Sequence, residues 1–118
     1  MVLTGRILTA VCGLGLLASA AMKIMGPDDF VKQWTGFGFA ADLALTVGII
    51  EIVCALLYLI PQTALLGSLL VVAYMGGATV THLRIGDSII IPVLFGVVAV
   101  GGLFLRDARL RALLPLRR

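Results

Sequence analysis

Glu51 stands in the middle of VGIIEIVCALLYLIP, Val47 to Pro61, a run otherwise made almost wholly of apolar residues. Few other groups in the apolar stretches could do chemistry: Lys23, Tyr58, Tyr74 and His82. A carboxylate, an ammonium, an imidazole and two phenols can hold a polar headgroup or pass protons, and each is costly to leave unpaired in oil. A charged group at the centre of a membrane helix costs about 2.5–3.5 kcal/mol, so a tolerated acid faces the protein interior, is paired, or is neutral. Desolvation opposes charge on Glu51 and a nearby Lys23 supports it; the sequence leaves the balance open. By residue count Glu51 lies about 12 Å deeper than Lys23, within reach of either a direct or a water-bridged pair.

The other reactive side chains carry weaker signals. His82, with Asp42, Arg84 and Asp87 close to the same boundary, can shuttle protons; the alternative is that it caps its helix end. One histidine without neighbouring cysteine or acid ligands predicts no metal site. Cys12 and Cys54 fall at nearly the same depth, which permits a contact. With no C-x-x-C pattern, they read as small apolar packers, with a working dithiol as the alternative. No phosphate-cradling glycine loop, dinucleotide fingerprint or nucleophile elbow is present, so catalysis by this chain alone is not expected.

These residues must be positioned by elements that live in lipid. Of the 118 residues 61% are hydrophobic and only 13% charged, too few polar groups to coat a small soluble domain. Four apolar stretches, at about 7–25, 43–60, 64–82 and 88–105, are each about 27–29 Å long as helices, against a hydrocarbon core of about 30 Å. None alternates with period two, so the predicted fold class is all-α: a polytopic membrane protein, a single domain over 1–118 built as a four-transmembrane-helix bundle. MGPDD, IPQTA and RIGDS supply the turns, and Pro92 either kinks the fourth span or marks its start.

The longest connection, GPDDFVKQWTGFGFAAD, carries Phe30, Trp34, Phe37 and Phe39. The i,i+4 spacing of Phe30 and Trp34 predicts a short interfacial helix in this first outer loop, either a plain aromatic anchor or a lid over a cavity. Arg6 and the tail residues Arg106, Arg109, Arg111, Arg117 and Arg118 place both termini in the cytoplasm, with 106–118 as a basic tail against anionic lipid. No nucleic-acid module accompanies that charge. An Ala18-Ser19-Ala20 cleavage pattern offers a competing reading in which Met1–Ala20 is a signal peptide.

Ala40, Ala44 and Gly48, leading into the second span, and Ala73, Gly77 and Thr81 in the third, form small-residue faces that predict close helix contacts or a homo-oligomer. Winding the second helix places Ala44, Gly48, Ala55 and Tyr58 within about 60° of Glu51, so Glu51 is expected on the packed face. Thr9, Cys12, Ser19 and Lys23 fall on one stripe of the first helix, and Ser68, Met75, Thr79 and His82 on one stripe of the third.

In SAAMKIMG, GIIEIVCALLYLIPQTALLG, YMGGATVTHLRIGD and LRDARLRALLP, in this order, the chain resembles the DoxX-like family of small four-helix bacterial membrane proteins, with Ala20 where a glycine is usual. The resemblance implies polar family positions at Lys23, Glu51 and His82, and an association with membrane redox systems such as a thiosulfate:quinone oxidoreductase. The functional expectation is an accessory subunit of a quinone-linked redox system, with Lys23, Glu51, Tyr58, Tyr74 and His82 as ligand or proton-relay residues. No cofactor is held by the chain itself; quinone is the candidate ligand, and a membrane or peripheral redox protein the candidate partner. The alternatives are a binding or transport module for a small amphipathic molecule and a structural assembly subunit.

Overall fold

The computed structural model describes residues 1–114, helical throughout with no strand among them. The helices are α1 (Val2–Met25), α2 (Asp28–Gly36), α3 (Leu43–Leu59), α4 (Ala64–Arg84), α5 (Ile90–Arg106) and α6 (Ala108–Leu113). A 3-10 turn, Pro61–Thr63, runs into α4. Val2–Met25 and Pro61–Arg84 are long and apolar enough to cross a membrane; α3 and α5 are equally apolar at 17 residues each.

Local chemistry sets the ends. Gly26 takes a left-handed φ of 61° and returns its N–H to the Met22 carbonyl, and Pro27 cannot continue the helix. Ile60, forced out of the helical region by the following Pro61, is extended, and Thr63 Oγ1 donates to the Leu57 carbonyl at 2.7 Å to tie the turn. Pro92 sits in the first turn of α5, where its missing N–H costs nothing, so it marks a start and not a kink. α1 begins five residues before the expected boundary, because an apolar count stops at Arg6 while backbone hydrogen bonding continues to Val2.

The four long helices pack as a ring in which α1 touches α3 and α5, and α4 touches the same two. Close approach is made by glycine. A methyl group on Gly67 would lie 2.2 Å from the Tyr58 backbone nitrogen, and one on Gly5 would lie 2.6 Å from the Gly102 carbonyl oxygen. A methyl group on Gly48 would lie 3.2 Å from the Ala20 carbonyl oxygen, so α1 and α3 meet closely despite Ala20. The core between them gathers Cys12, Leu16, Cys54, Ala55, Tyr58, Val71, Met75 and Ala99. Both cysteines are free and buried, and the Cys12 thiol donates to the Phe95 carbonyl at 3.6 Å. The outward faces are apolar too, with Val11, Leu14, Ile49, Val53, Leu69 and Val97 all about half exposed or more, a surface suited to lipid and not to water.

Ala73 and Gly77 pack against no helix; both are exposed, and a methyl group on Gly77 would meet nothing within 4 Å. In the tail, Arg111 caps the end of α5 by donating to the Phe104 and Leu105 carbonyls, and Arg109 pairs with Asp107 at 3.1 Å. Arg111 is thereby engaged by the end of α5, while the Arg109 side chain stays 92% exposed. Arg117 and Arg118 lie outside the described residues.

Candidate functional site

The face of α3 that carries Glu51 is the buried one: Ala44, Gly48, Glu51, Cys54, Ala55 and Tyr58 all point inward. Glu51 itself is 1% exposed. α1 runs antiparallel to α3, which brings the last turn of α1 against the first half of α3 and sets Lys23 beside Glu51. The Lys23 ammonium donates to Glu51 Oε1 at 2.9 Å and to Ser19 Oγ at 2.8 Å, a direct pair with no bridging group. The Lys23 side chain is 11% exposed and that of Glu51 is 2% exposed. So buried a pair holds because each charge compensates the other and the ammonium has a second acceptor.

A cavity of about 480 Å³ opens above this pair. Lys23 and Ser19 form part of its wall, and Tyr74, Gly77, Thr81 and His82 of α4 face them. The first connection closes the top with Phe30, Gln33, Trp34, Phe37 and Phe39. Trp34, buried by the fold, anchors this roof: its indole donates to the Ala40 carbonyl at 2.9 Å, and its ring packs on Phe39 at 4.6 Å and on Phe30 at 6.0 Å. Arg84 ties the roof to α4 by donating to the Phe37 carbonyl, with its guanidinium 5.9 Å from the centre of the Phe39 ring. A smaller cavity of about 160 Å³ shares Ser19, Lys23, Tyr74 and His82 with the first, and reaches Glu51, Pro92 and Phe95. A volume of that size has room for several waters among polar partners.

His82 owes its setting to the turn after α4. The Asp87 N–H bonds the His82 carbonyl at 2.9 Å and the Gly86 N–H bonds the Leu83 carbonyl at 3.1 Å, around Gly86 at φ 75°. This pairing of 6→1 and 5→2 hydrogen bonds needs a left-handed residue, which glycine supplies without strain. Its consequence is chemical: Asp87 is folded back until its Oδ2 lies 3.0 Å from His82 Nδ1. Phe37 meets the imidazole edge to face at 5.1 Å.

Of the five residues predicted from sequence, Lys23, Glu51, Tyr74 and His82 converge on the two connected cavities. Tyr58 does not. Two turns along α3 from Glu51 and fully buried, it donates its hydroxyl to the Ala99 carbonyl at 2.8 Å, with Thr9 Oγ1 3.5 Å away. Its work is to tie α3 to α5. Ser68 and Thr79 share an inward stripe with His82, yet each bonds a carbonyl of its own helix, Leu65 and Met75, and joins no cluster. Sequence reasoning placed Asp87 just beyond the boundary without pairing it to His82; the H-x-x-x-G-D spacing is the signal that reveals it. Ser19 and Gln33 were likewise not singled out as site residues. Among the described residues no group of His, Cys, Asp and Glu is arranged to hold a metal.

An ion pair under an aromatic roof, with one wall of small residues, suits a flat, lipid-soluble molecule that presents an oxygen to Lys23 and a ring face to the aromatics. The model of the DoxX-like family matches residues 7–102. Neither the curated proteins nor the solved structures compared with the chain contain a match.

Proposed function

This chain belongs to the DoxX-like family of membrane proteins, and from that membership and the site above we propose that it is an accessory subunit of a quinone-linked membrane redox system. It holds a quinone headgroup or relays its protons, while a partner polypeptide carries the electrons. The observation that carries this reading is the Lys23–Glu51 pair at the floor of a cavity roofed by Trp34, Phe37 and Phe39. Intramembrane ionisable groups cost too much to keep for packing alone, and a ring with a polar oxygen is what donors below and aromatics above recognise together.

In this reading α1, α3, α4 and α5 cross the bacterial inner membrane as a four-span bundle, α2 lies in the outer interface, and both termini are cytoplasmic. The 17-residue helices α3 and α5 span about 26 Å, so the bilayer thins locally by a few ångströms around them. A reporter active only in the cytoplasm should function when fused at the C-terminus and fail when inserted at Gln33. The opposite pattern overturns the orientation.

Purified protein should retain quinone in its lipid extract, measured by mass spectrometry. Gly77→Leu, which fills open cavity space without meeting another helix, and Glu51→Gln, which removes the charge that orients Lys23, should each cut the retained quinone about tenfold, the worth of one good contact or of the charge in a hydrogen bond. Ile49→Ala, on the outward face of α3, should leave it unchanged. Wild-type extracts that hold another amphipathic molecule in place of quinone would reassign the ligand; extracts with no bound ligand would leave only an assembly role.

A further inference from the structure

We propose that Asp87 and His82 form a dyad that makes the cavity choose between the reduced and oxidised forms of its ligand according to pH. The inference rests on the quinone-class reading above and concerns binding only; no electron moves in it. The turn around Gly86 holds Asp87 Oδ2 at 3.0 Å from His82 Nδ1, and the Ser88 N–H holds Oδ1 at 2.8 Å. Those two contacts, that to Ser88 first, keep the Asp87 carboxyl below the usual carboxylate range, so it remains an anionic acceptor at neutral pH. An acceptor at Nδ1 fixes the proton there and leaves Nε2 of the neutral ring as a lone pair.

Lys23, which lines the same two cavities, offers only donors. Two of its three N–H bonds go to Ser19 and Glu51, leaving one for a ligand. With His82 neutral, this pair of residues therefore presents one acceptor and one donor. A hydroquinone satisfies both, since one hydroxyl donates to Nε2 and the other oxygen accepts from Lys23. A quinone has two acceptor oxygens and sets a lone pair against Nε2. Protonation of His82 turns Nε2 into a donor that either oxygen of a quinone can meet, and the quinol loses its advantage. The other groups around His82 do not replace this switch. Arg84 is engaged by the Phe37 carbonyl, Glu51 is neutralised by Lys23, Tyr74 lies along the cavity wall, and Phe37 covers the imidazole without a polar atom.

The test uses the full chain in lipid nanodiscs under anaerobic conditions, equilibrated with equal amounts of decylbenzoquinone and its quinol between about pH 5.5 and pH 8, a range that brackets an ordinary histidine. The bound forms are then separated and quantified. The bound quinol-to-quinone ratio should be about tenfold higher at the alkaline end, the worth of one hydrogen bond made or opposed. His82→Gln, whose amide both donates and accepts, should bind both forms with a ratio flat in pH. Asp87→Asn should move the midpoint of the curve while keeping a transition. A wild-type ratio that does not change with pH, or a His82→Gln curve that matches wild type, overturns the dyad while leaving quinone binding in place. Binding of neither form at any pH removes the quinone reading, and the dyad's role with it.

Discussion

Glu51→Ala should destabilise the protein by about 3 kcal/mol, the lower end for breaking a buried pair, because it leaves the Lys23 ammonium, 11% exposed, without its carboxylate. The ammonium keeps Ser19 at 2.8 Å but loses its only counter-charge. Glu51→Gln should cost less, since the amide oxygen still accepts the hydrogen bond, yet the cation remains uncompensated. The diagnostic variant is the double change Lys23→Met with Glu51→Leu. Replacing a buried ion pair by apolar groups of similar volume is often neutral or stabilising, so the double variant should recover most of the lost stability. Reversible unfolding in mixed micelles measures all three. A double variant as unstable as Glu51→Ala would mean that the loss comes from packing around position 51 and not from the stranded charge. Because the double variant also removes the ligand's donor, it should fold and retain no quinone, which separates the stability role of the pair from its binding role.

Gly67→Ala should be as damaging, at about 3 kcal/mol, the upper end of what overpacking costs. The added methyl would sit 2.2 Å from the Tyr58 backbone nitrogen, 2.3 Å from its Cα and 2.5 Å from the Leu57 carbonyl carbon. All three are main-chain atoms, so no side chain can rotate aside, and α3 must separate from α4. That movement pulls Tyr58 from the Ala99 carbonyl, the hydrogen bond that ties α3 to α5. Gly77→Ala lies on the same helix and makes the contrast. Nothing stands within 4 Å of its new methyl, and alanine favours a helix over glycine by about 1 kcal/mol, so this change should be neutral or mildly stabilising. Since propensity favours alanine at both positions, equal loss at both would show that the damage at position 67 does not come from the α3–α4 contact.

What the sequence by itself determined is what periodicity and solvent determine. Apolar runs too long and too uniform for a water-soluble domain specify helices, since backbone groups in an apolar setting must bond within their own segment. Gly26, Pro27, Pro61 and Gly86 punctuate the chain where the helices end. An angle of 100° per residue put Glu51 on the same face as Ala44, Gly48 and Ala55, and all four are buried. Lys23, Glu51 and His82 were legible as a set because ionisable side chains are scarce in such segments and too costly to scatter.

Periodicity supplies an angle and a depth, but neither the identity of the neighbour nor whether the intervening space is filled. Tyr58 and Tyr74 looked equivalent; Tyr58 is spent on the Ala99 carbonyl and Tyr74 lines the cavity, because α5 lies against one and the aromatic loop arches over the other. The small faces of α3 and α4 also looked alike. A methyl group on Gly48 would lie 3.2 Å from the Ala20 carbonyl oxygen, while Gly77 faces open space. Small residues permit close contact and do not compel it, as association between apolar helices in lipid has no hydrophobic drive of its own and follows whatever surfaces the other helices offer. The direct Lys23–Glu51 bond and the return of Asp87 onto His82 belong to the same class. Each depends on differences of one or two ångströms between elements far apart or turned back in the chain, and only the tertiary structure decides distances on that scale.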